Sequence, residues 1–172
     1  DTGMVFLDGV RVPKDRVLGK EGEGFRIALS TLDTGRISLA AGAVGLMQRA
    51  LDLSLAYAGE RKQFGKPIAQ FHLAARKLDL EAARLLTYRA AWKKVKGEPY
   101  TLEASLAKLF ASEAANRVAY RAIQVHGGYG FFEEYEVARL YRDARILTLY
   151  EGTSEVQKLI IGAHLTGVRA FA

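Results

Sequence analysis

The fold of this chain is decided by residues 24–61, which read GFRIALSTLDTGRISLAAGAVGLMQRALDLSLAYAGER. The apolar residues of this stretch recur three and four positions apart, as they do on one face of an α-helix. We therefore predict one long helix from residue 25 to about residue 61. Gly35, Gly42 and Gly45 lie inside it, each less favourable than alanine by about 1 kcal/mol. Such glycines indicate a tight helix crossing or the close approach of a ligand.

The rest of the chain repeats the helical pattern between short breaks. We expect four further helices, over residues 71–96, 101–125, 135–144 and 154–168. Gly97-Glu98-Pro99 stops the first of these, and Thr101 is the expected N-cap of the next. Long antiparallel helices joined by short loops are typical of an up-down four-helix bundle. The sequence thus predicts an all-α fold.

The first residues differ, because apolar positions alternate there around Asp8-Gly9. Val5, Leu7, Val10 and Val12 are spaced as in a short β-hairpin. A two-stranded ribbon is marginal in water and normally packs on something larger. We therefore expect residues 1–22 to be the end of a preceding β domain with its linker, and residues 23–172 to be the helical domain.

Composition restricts the chemistry. The 172 residues carry a net charge of +6 and contain no cysteine, so a disulfide, a thiolate nucleophile and an iron-sulfur cluster are excluded. The three histidines lack metal-ligand spacing, and we expect no metal site. Basic residues alternate with acidic ones along helices, which favours a solvated surface or an anionic ligand over nucleic acid. No apolar stretch is long enough to span a membrane, and the first residues are not a secretory signal.

Tyr150-Glu151-Gly152-Thr153 ends an apolar run and opens the last predicted helix. A carboxylate at such a break can point away from helical packing. In the structural alternative, Thr153 or Ser154 caps the helix and Glu151 lies near its positive end, which favours a negative charge. The local sequence leaves both interpretations open.

Two other glycine-punctuated motifs could bind a ligand. Residues 61–68, RKQFGKPI, place cations, an amide and an aromatic ring at a helix end, a combination that suits a phosphate and a flat ring. Residues 124–128, QVHGG, would let a ligand approach the backbone. Ordinary helix ends explain both motifs equally well. Gly22-x-Gly24 lacks the third glycine of a dinucleotide fingerprint, which argues against a Rossmann site.

Taken together and in this order, the three motifs resemble the C-terminal part of the acyl-CoA dehydrogenases. Arg11-Val12-Pro13 and residues 18–25 also resemble the segment that leads from the family's β-barrel into its helical domain. These flavoenzymes combine a helical N-terminal domain, a middle β-barrel and a C-terminal four-helix bundle around FAD and an acyl-CoA thioester. The resemblance implies that this chain is the last bundle with a short N-terminal β remnant, and that in isolation it is inactive.

The resemblance also implies a reaction. Glu151 would abstract the α-proton of a fatty acyl-CoA while the β-hydride passes to the flavin, giving the trans-2-enoyl-CoA. Some relatives carry this base on the first long helix, just before the arginine that corresponds to Arg36, where this chain has Gly35. The sequence is therefore similar to the short-, medium- or short-branched-chain type.

The residues implied to bind substrate are Asp33, Arg36 and Gly152. Those implied to bind FAD are Arg61, Gln63, Phe64, His72, Gln124, Val125, His126, Gly127, Gly128, Thr153, Ser154 and Glu155. Of these, Arg61 and the 124–128 loop would hold the adenosine diphosphate part of a flavin bound mainly by a neighbouring subunit. His72 stands where relatives usually have glutamine, after which the chain is shorter than theirs by about five residues, more than one helical turn.

The implied partners are an acyl-CoA substrate, further copies of the chain in a homotetramer, and electron-transfer flavoprotein as acceptor. The expected location is the bacterial cytoplasm, or the mitochondrial matrix in a eukaryote. Two alternatives stay open at this point. One is an acyl-CoA oxidase that uses oxygen as acceptor, and the other is a non-catalytic helical scaffold or oligomerisation bundle.

Overall fold

A computed structural model describes residues 3–63, 66–67 and 72–168. Its helices are α1 Gly24–Glu60, α2 His72–Val95, α3 Thr101–His126, α4 Glu136–Ile146 and α5 Ser154–Thr166. Two short antiparallel strands, β1 Lys62–Gln63 and β2 Lys66–Pro67, follow α1, and 3-10 helices cover Lys14–Arg16 and Gly127–Phe131. This architecture confirms the predicted all-α class.

The chain divides into two compact units, one up to Thr31 and one from Leu32 onward. In the first unit, residues 3–23 form no strand, and Val5 and Leu7 are exposed. The predicted N-terminal hairpin is therefore not found in the described residues. A two-stranded ribbon with no larger sheet to pack on is at best marginally stable, and the alternating pattern alone does not form one. The domain boundary at residue 22 stays a prediction.

The core of the second unit is built largely of alanine. Its fully buried alanines are Ala40, Ala43, Ala50, Ala83, Ala90, Ala107, Ala111, Ala114 and Ala115. Met47 and Leu80 fill the remaining space between the helices. Small side chains at the contacts let helices pack closely, which holds the ends of the bundle in a fixed arrangement.

The start of α3 differs from the sequence prediction. Its N-cap is Tyr100, and Thr101 is already the first helical residue. The Thr101 hydroxyl instead donates a hydrogen bond of 2.5 Å to Oδ2 of Asp33 on α1. A hydrogen bond to a charged acceptor is stronger than one to a neutral group, so the carboxylate of another helix outcompetes the local capping role.

None of the helices in the described part of the chain is long and apolar enough to cross a membrane. Across those same residues, no group of three histidine or acidic side chains could hold a metal ion.

Candidate active site

The loop between α4 and α5 has an unusual backbone at Glu151 and Gly152. Glu151 has φ +58°, and Gly152 follows with φ +85°. The left-handed region costs a residue with a side chain roughly 1–2 kcal/mol. A strained residue persists only where the surrounding structure holds it, so the contacts around Glu151 carry functional interest.

Three side chains hold the carbonyl groups of this strained turn. The Gln157 side chain donates to the Glu151 carbonyl at 3.0 Å and to the Gly152 carbonyl at 3.1 Å. Lys108 Nζ donates to the Gly152 carbonyl at 2.7 Å, and Arg36 Nε reaches the Glu151 carbonyl at 3.4 Å. These donors come from α5, α3 and α1, so the turn is fixed from three helices at once.

The Glu151 carboxylate lies against Gly35 of α1. A Cβ added at position 35 would collide with the carboxylate. The Oε2 atom of Glu151 is buried and has no hydrogen-bond partner among the described residues. The missing side chain at position 35 thus leaves the room in which the carboxylate sits, with one oxygen open to accept a proton.

Arg36 is buried behind the loop rather than exposed on the helix surface. Its NH1 atom pairs with Oδ1 of Asp33 at 2.6 Å, and the side chain is 7% exposed. Asp33 is also the acceptor of the Thr101 hydrogen bond. The substrate contacts implied for Asp33 and Arg36 stay predictions. What the geometry adds is a chain of contacts from Thr101 through these two residues to the Glu151 carbonyl.

The first turn of α5 lies directly after this loop. The Thr153 hydroxyl accepts a hydrogen bond from the Val156 amide, so Thr153 is the N-cap that the structural alternative foresaw. Ser154 donates to Oε1 of Glu113 at 2.6 Å. The exposed carboxyl of Glu155 accepts hydrogen bonds from the Glu155 backbone amide and the Thr153 hydroxyl. These two donors hold the pKa of that carboxyl below its usual value. Flavin contacts of Thr153, Ser154 and Glu155 stay predictions.

A cavity of about 470 Å³ lies at the other end of the bundle. The residues that line it are Tyr57, Arg61, Val125, His126, Gly127, Gly128, Tyr129 and Phe132. The Arg61 guanidinium carbon lies 5.7 Å from the centre of the Tyr129 ring. Aromatic walls, a guanidinium group and glycine backbone are suited to a flat ring bearing phosphates.

His126 is a wall of this cavity and also part of the core. Its ring stacks on Tyr57 with the centroids 4.2 Å apart, and Nδ1 lies 2.8 Å from the Ala122 carbonyl oxygen. Burial lowers the pKa of His126, although the hydrogen bond to Ala122 opposes that effect. Burial therefore favours the neutral imidazole, and in that form Nδ1 is the atom that donates to the Ala122 carbonyl.

The predicted site residues fall into two groups. Residues 33–36 and 151–155 come together near the first turns of α3, while Arg61 and residues 125–128 meet near its last turn. Lys108 and His126 are about 27 Å apart at 1.5 Å of rise per residue. The Gln124 side chain is exposed and does not line the cavity. Phe64 and the side chains of Gln63 and His72 lie outside the described residues.

Sequence reasoning missed Lys108 and Gln157, which are both fully buried beside the strained turn. A signal for Lys108 was present, since it falls four residues after Ala104 and three before Ala111, on the alanine face of α3. A lysine on an apolar helix face indicates a buried partner, because lysine is almost never fully buried unpaired.

An all-α bundle that holds a carboxylate in a strained loop at one end, and opens a ring-lined cavity at the other, defines a helical ligand-binding domain with a candidate proton acceptor. The chain belongs to the acyl-CoA dehydrogenase family, whose model for the "Acyl-CoA dehydrogenase, C-terminal domain" matches residues 22–166.

Curated relatives agree with this assignment. The chain is 50% identical over 167 residues to the short-chain specific acyl-CoA dehydrogenase of Megasphaera elsdenii, covering 94% of this chain and 43% of that protein. It is 49% identical over 169 residues to the mitochondrial short-chain specific enzyme of Bos taurus, covering 95% and 41%. It is 46% identical over 169 residues to the caffeyl-CoA reductase-Etf complex subunit CarC of Acetobacterium woodii, covering 95% and 45%.

Solved structures agree as well. Butyryl-CoA dehydrogenase from Megasphaera elsdenii superposes with a TM-score of 0.87 at 50% identity, over 90% of this chain and 42% of that one. An acyl-CoA dehydrogenase from Bacillus anthracis complexed with FAD superposes with a TM-score of 0.84 at 37% identity, over 90% of this chain and 31% of that one. This chain therefore spans less than half the length of the relatives it matches.

Proposed function

We propose that this chain is the C-terminal bundle of an FAD-dependent acyl-CoA dehydrogenase that converts a fatty acyl-CoA thioester into its trans-2-enoyl-CoA, with Glu151 as the base. The observation that carries the proposal is the Glu151 carboxylate. It lies beside Gly35, on a strained turn held from three helices, with one buried oxygen that has no hydrogen-bond partner among the described residues. The short-chain and butyryl-CoA relatives supply the substrate class.

The residues around Glu151 have distinct tasks in this reaction. The carboxylate accepts the α-proton through an oxygen that no neighbouring donor occupies. Arg36, Lys108 and Gln157 bind backbone carbonyls and leave the carboxylate itself clear. A positioned general base typically contributes about 10²–10⁴-fold to a rate. Gly152 has no side chain to block a thioester that lies against the backbone.

The described residues fit FAD at both ends of the bundle. The cavity beside Gly127 offers aromatic walls, glycine backbone and the Arg61 guanidinium for an adenine ring and its phosphates. The first turn of α5 follows Glu151 directly and offers backbone N–H groups to an electron-rich ring. When bound, FAD supplies the acceptor for the β-hydride of the substrate.

The distance between these places supports an oligomer. The two groups of residues are separated by about 27 Å along α3, so we propose that they serve flavins bound in different subunits of a homotetramer. An exposed apolar stripe on α2 offers a surface for such contacts. It consists of Leu78, Leu85, Tyr88 and Trp92, with Leu78 72% and Trp92 55% exposed. Monomeric proteins rarely leave a large contiguous apolar patch uncovered.

We further propose electron-transfer flavoprotein as the acceptor, since the Acetobacterium relative is named as a subunit of a complex with Etf. The proposed location is the bacterial cytoplasm, or the mitochondrial matrix if the source is a eukaryote, in line with relatives of both origins. An acyl-CoA oxidase would use the same base, and production of peroxide in air would distinguish it.

The test is the visible absorption of the full-length protein before and after anaerobic addition of butyryl-CoA or octanoyl-CoA. We expect bound flavin that bleaches with substrate. Glu151→Gln should keep the flavin and lose the bleaching, whereas Glu98→Gln, at an exposed acid in the turn after α2, should behave as the parent. Absence of flavin would leave the scaffold interpretation, and equal bleaching in Glu151→Gln would assign the base to another residue.

A further inference from the structure

Lys108 is the largest fully buried side chain of the described chain, and the proton-transfer step does not use it directly. It projects from the second turn of α3 into the space behind the Glu151–Gly152 turn. Its ammonium group donates to the Gly152 carbonyl at 2.7 Å. Burying an ammonium group is expensive unless it is paired, so a lysine kept here indicates a specific task.

The charges around Lys108 come from several elements. Arg36 faces it from α1, Glu113 from its own helix, Glu151 from the loop, and Glu155 from the first turn of α5. The ammonium group thus interacts electrostatically with three carboxylates, one of which is the proposed base.

We propose that Lys108 is a positioning residue for Glu151. Its bond to the Gly152 carbonyl fixes the left-handed turn and, with it, the direction in which the carboxylate points. Its charge also lies close enough to the carboxylate to interact with it. This inference rests on the proposed function, because a positioning residue has meaning only if Glu151 is the base.

Protonation of Lys108 gives the inference a distinctive consequence. Burial and, next, the charge of Arg36 lower the pKa of Lys108 to about 8, although the three carboxylates oppose both effects. Above that pH the amine loses its charge and its charge-assisted bond to Gly152 weakens. The rate of flavin reduction should therefore fall as the pH rises through about 8.

Stability should move in the opposite direction over the same range. The unfolded chain keeps this lysine protonated up to a pKa of about 10.4. Between about 8 and that value the unfolded state binds more protons than the native state, so this group makes stability rise with pH. A residue with only a structural task would not make activity and stability diverge in this way.

The experiment compares Lys108→Met, Lys108→Gln and Lys108→Arg in the full-length flavin-loaded protein, with Lys94→Met as a control that removes an exposed lysine of α2. We expect Lys108→Met to lower kcat by about 10²-fold, as for a catalytic group displaced by about 1 Å, with little change in KM. The isotope effect with α-deuterated acyl-CoA should rise, because proton abstraction becomes slower. Lys108→Gln keeps a donor and should be intermediate, and Lys108→Arg should flatten the alkaline limb.

An unchanged kcat and isotope effect in Lys108→Met would overturn the inference. Loss of flavin or of folding in both the Met and Gln variants would also overturn it, since Lys108 would then be a residue of the fold. Glu151→Gln, measured alongside, separates the two proposals. If that variant turns over normally, the base is misassigned. If it is inactive while Lys108→Met is normal, only the role of Lys108 fails.

Discussion

The loop around Glu151 and the cavity beside Gly127 lie near opposite ends of α3, and their residues are held in different ways. At the loop, buried polar side chains from three helices bind two backbone carbonyls and fix one carboxylate. At the cavity, aromatic rings and glycines leave an open space of about 470 Å³. The first arrangement fixes the backbone of the turn from several helices, as the proposed base requires. The second is shaped to be filled by another molecule.

The largest expected effect comes from Gly35→Ala, which tests the loop around Glu151. The new Cβ would collide with the Glu151 carboxylate and displace it. We expect kcat to fall by about 10²-fold with flavin retained. Gly42→Ala is the matched control, since nothing lies within 4 Å of its added Cβ. It should keep full activity and gain up to about 1 kcal/mol of helix stability. Equal activities of the two variants would contradict the packing of Gly35 on Glu151.

Gln157→Met tests whether the strained turn depends on its amide donor. Removing the two hydrogen bonds to the Glu151 and Gly152 carbonyls should lower the free energy of unfolding by about 1–3 kcal/mol. We also expect a fall in kcat of about tenfold, equivalent to about 1.4 kcal/mol at the transition state. Urea unfolding and steady-state kinetics measure the two effects.

The matched control is Gln48→Met, which removes hydrogen bonds to Arg84 and Asp52 away from the loop. A loss of stability without a loss of kcat is expected there. If Gln157→Met behaved the same way, the turn would not need its amide donor for catalysis.

Gly127→Ala tests the open end. Gly127 has φ +60° and ψ −142°, a conformation almost reserved for glycine, and alanine there costs about 1–3 kcal/mol. We expect weaker FAD binding, measured by fluorescence titration of the apoprotein, with kcat retained at saturating FAD. Gly97→Ala, at φ +71° after α2, should lose stability while FAD affinity stays unchanged. A drop in kcat at saturation would show that the two ends are not separable.

The smallest effect concerns the buried His126. Because its folded pKa is below the unfolded value of about 6.5, the stability from the neutral ring is complete above that pH. It is lost as the pH falls through the folded pKa. His126→Phe keeps an aromatic ring against Tyr57 but cannot titrate. Lowering the pH from 7.5 to 5.5 should therefore lower the melting temperature of the parent more than that of the variant. Parallel curves would rule out the neutral buried imidazole.

The sequence allowed the helices to be predicted closely, because their limits follow local rules. Apolar spacing and glycine stops predicted a helix over 101–125, and α3 is Thr101–His126. Contacts with residues far away in the sequence do not follow such local rules and were not predicted. The N-terminal alternation predicted a hairpin that is absent from the described residues. The Thr101 hydroxyl donates to Asp33 on another helix, and the residues next to Thr101 in the sequence do not indicate this contact.

The sequence pointed to the acidic and glycine residues of the candidate site. It did not point to the buried side chains that hold the loop in place. Glu151 stood out because it interrupts the pattern between two helices. Its left-handed backbone and its proximity to Gly35 depend on how α1 packs on the loop, which the sequence does not state. Lys108 was overlooked because the usual place of a lysine is in solvent. Its position among alanines was the usable clue.

Along α3 the rise between Lys108 and His126 is about 27 Å, and along α1 the rise between Arg36 and Tyr57 is about 32 Å, so the two helices hold the two ends of the bundle apart. An insertion or deletion of one turn in either helix would shift one end by about 5 Å along the helix axis. The described side chains of α2, residues 73–95, contribute to neither the Glu151 loop nor the Gly127 cavity. We therefore expect a change in helix length to disturb these two places less in α2 than in α1 or α3.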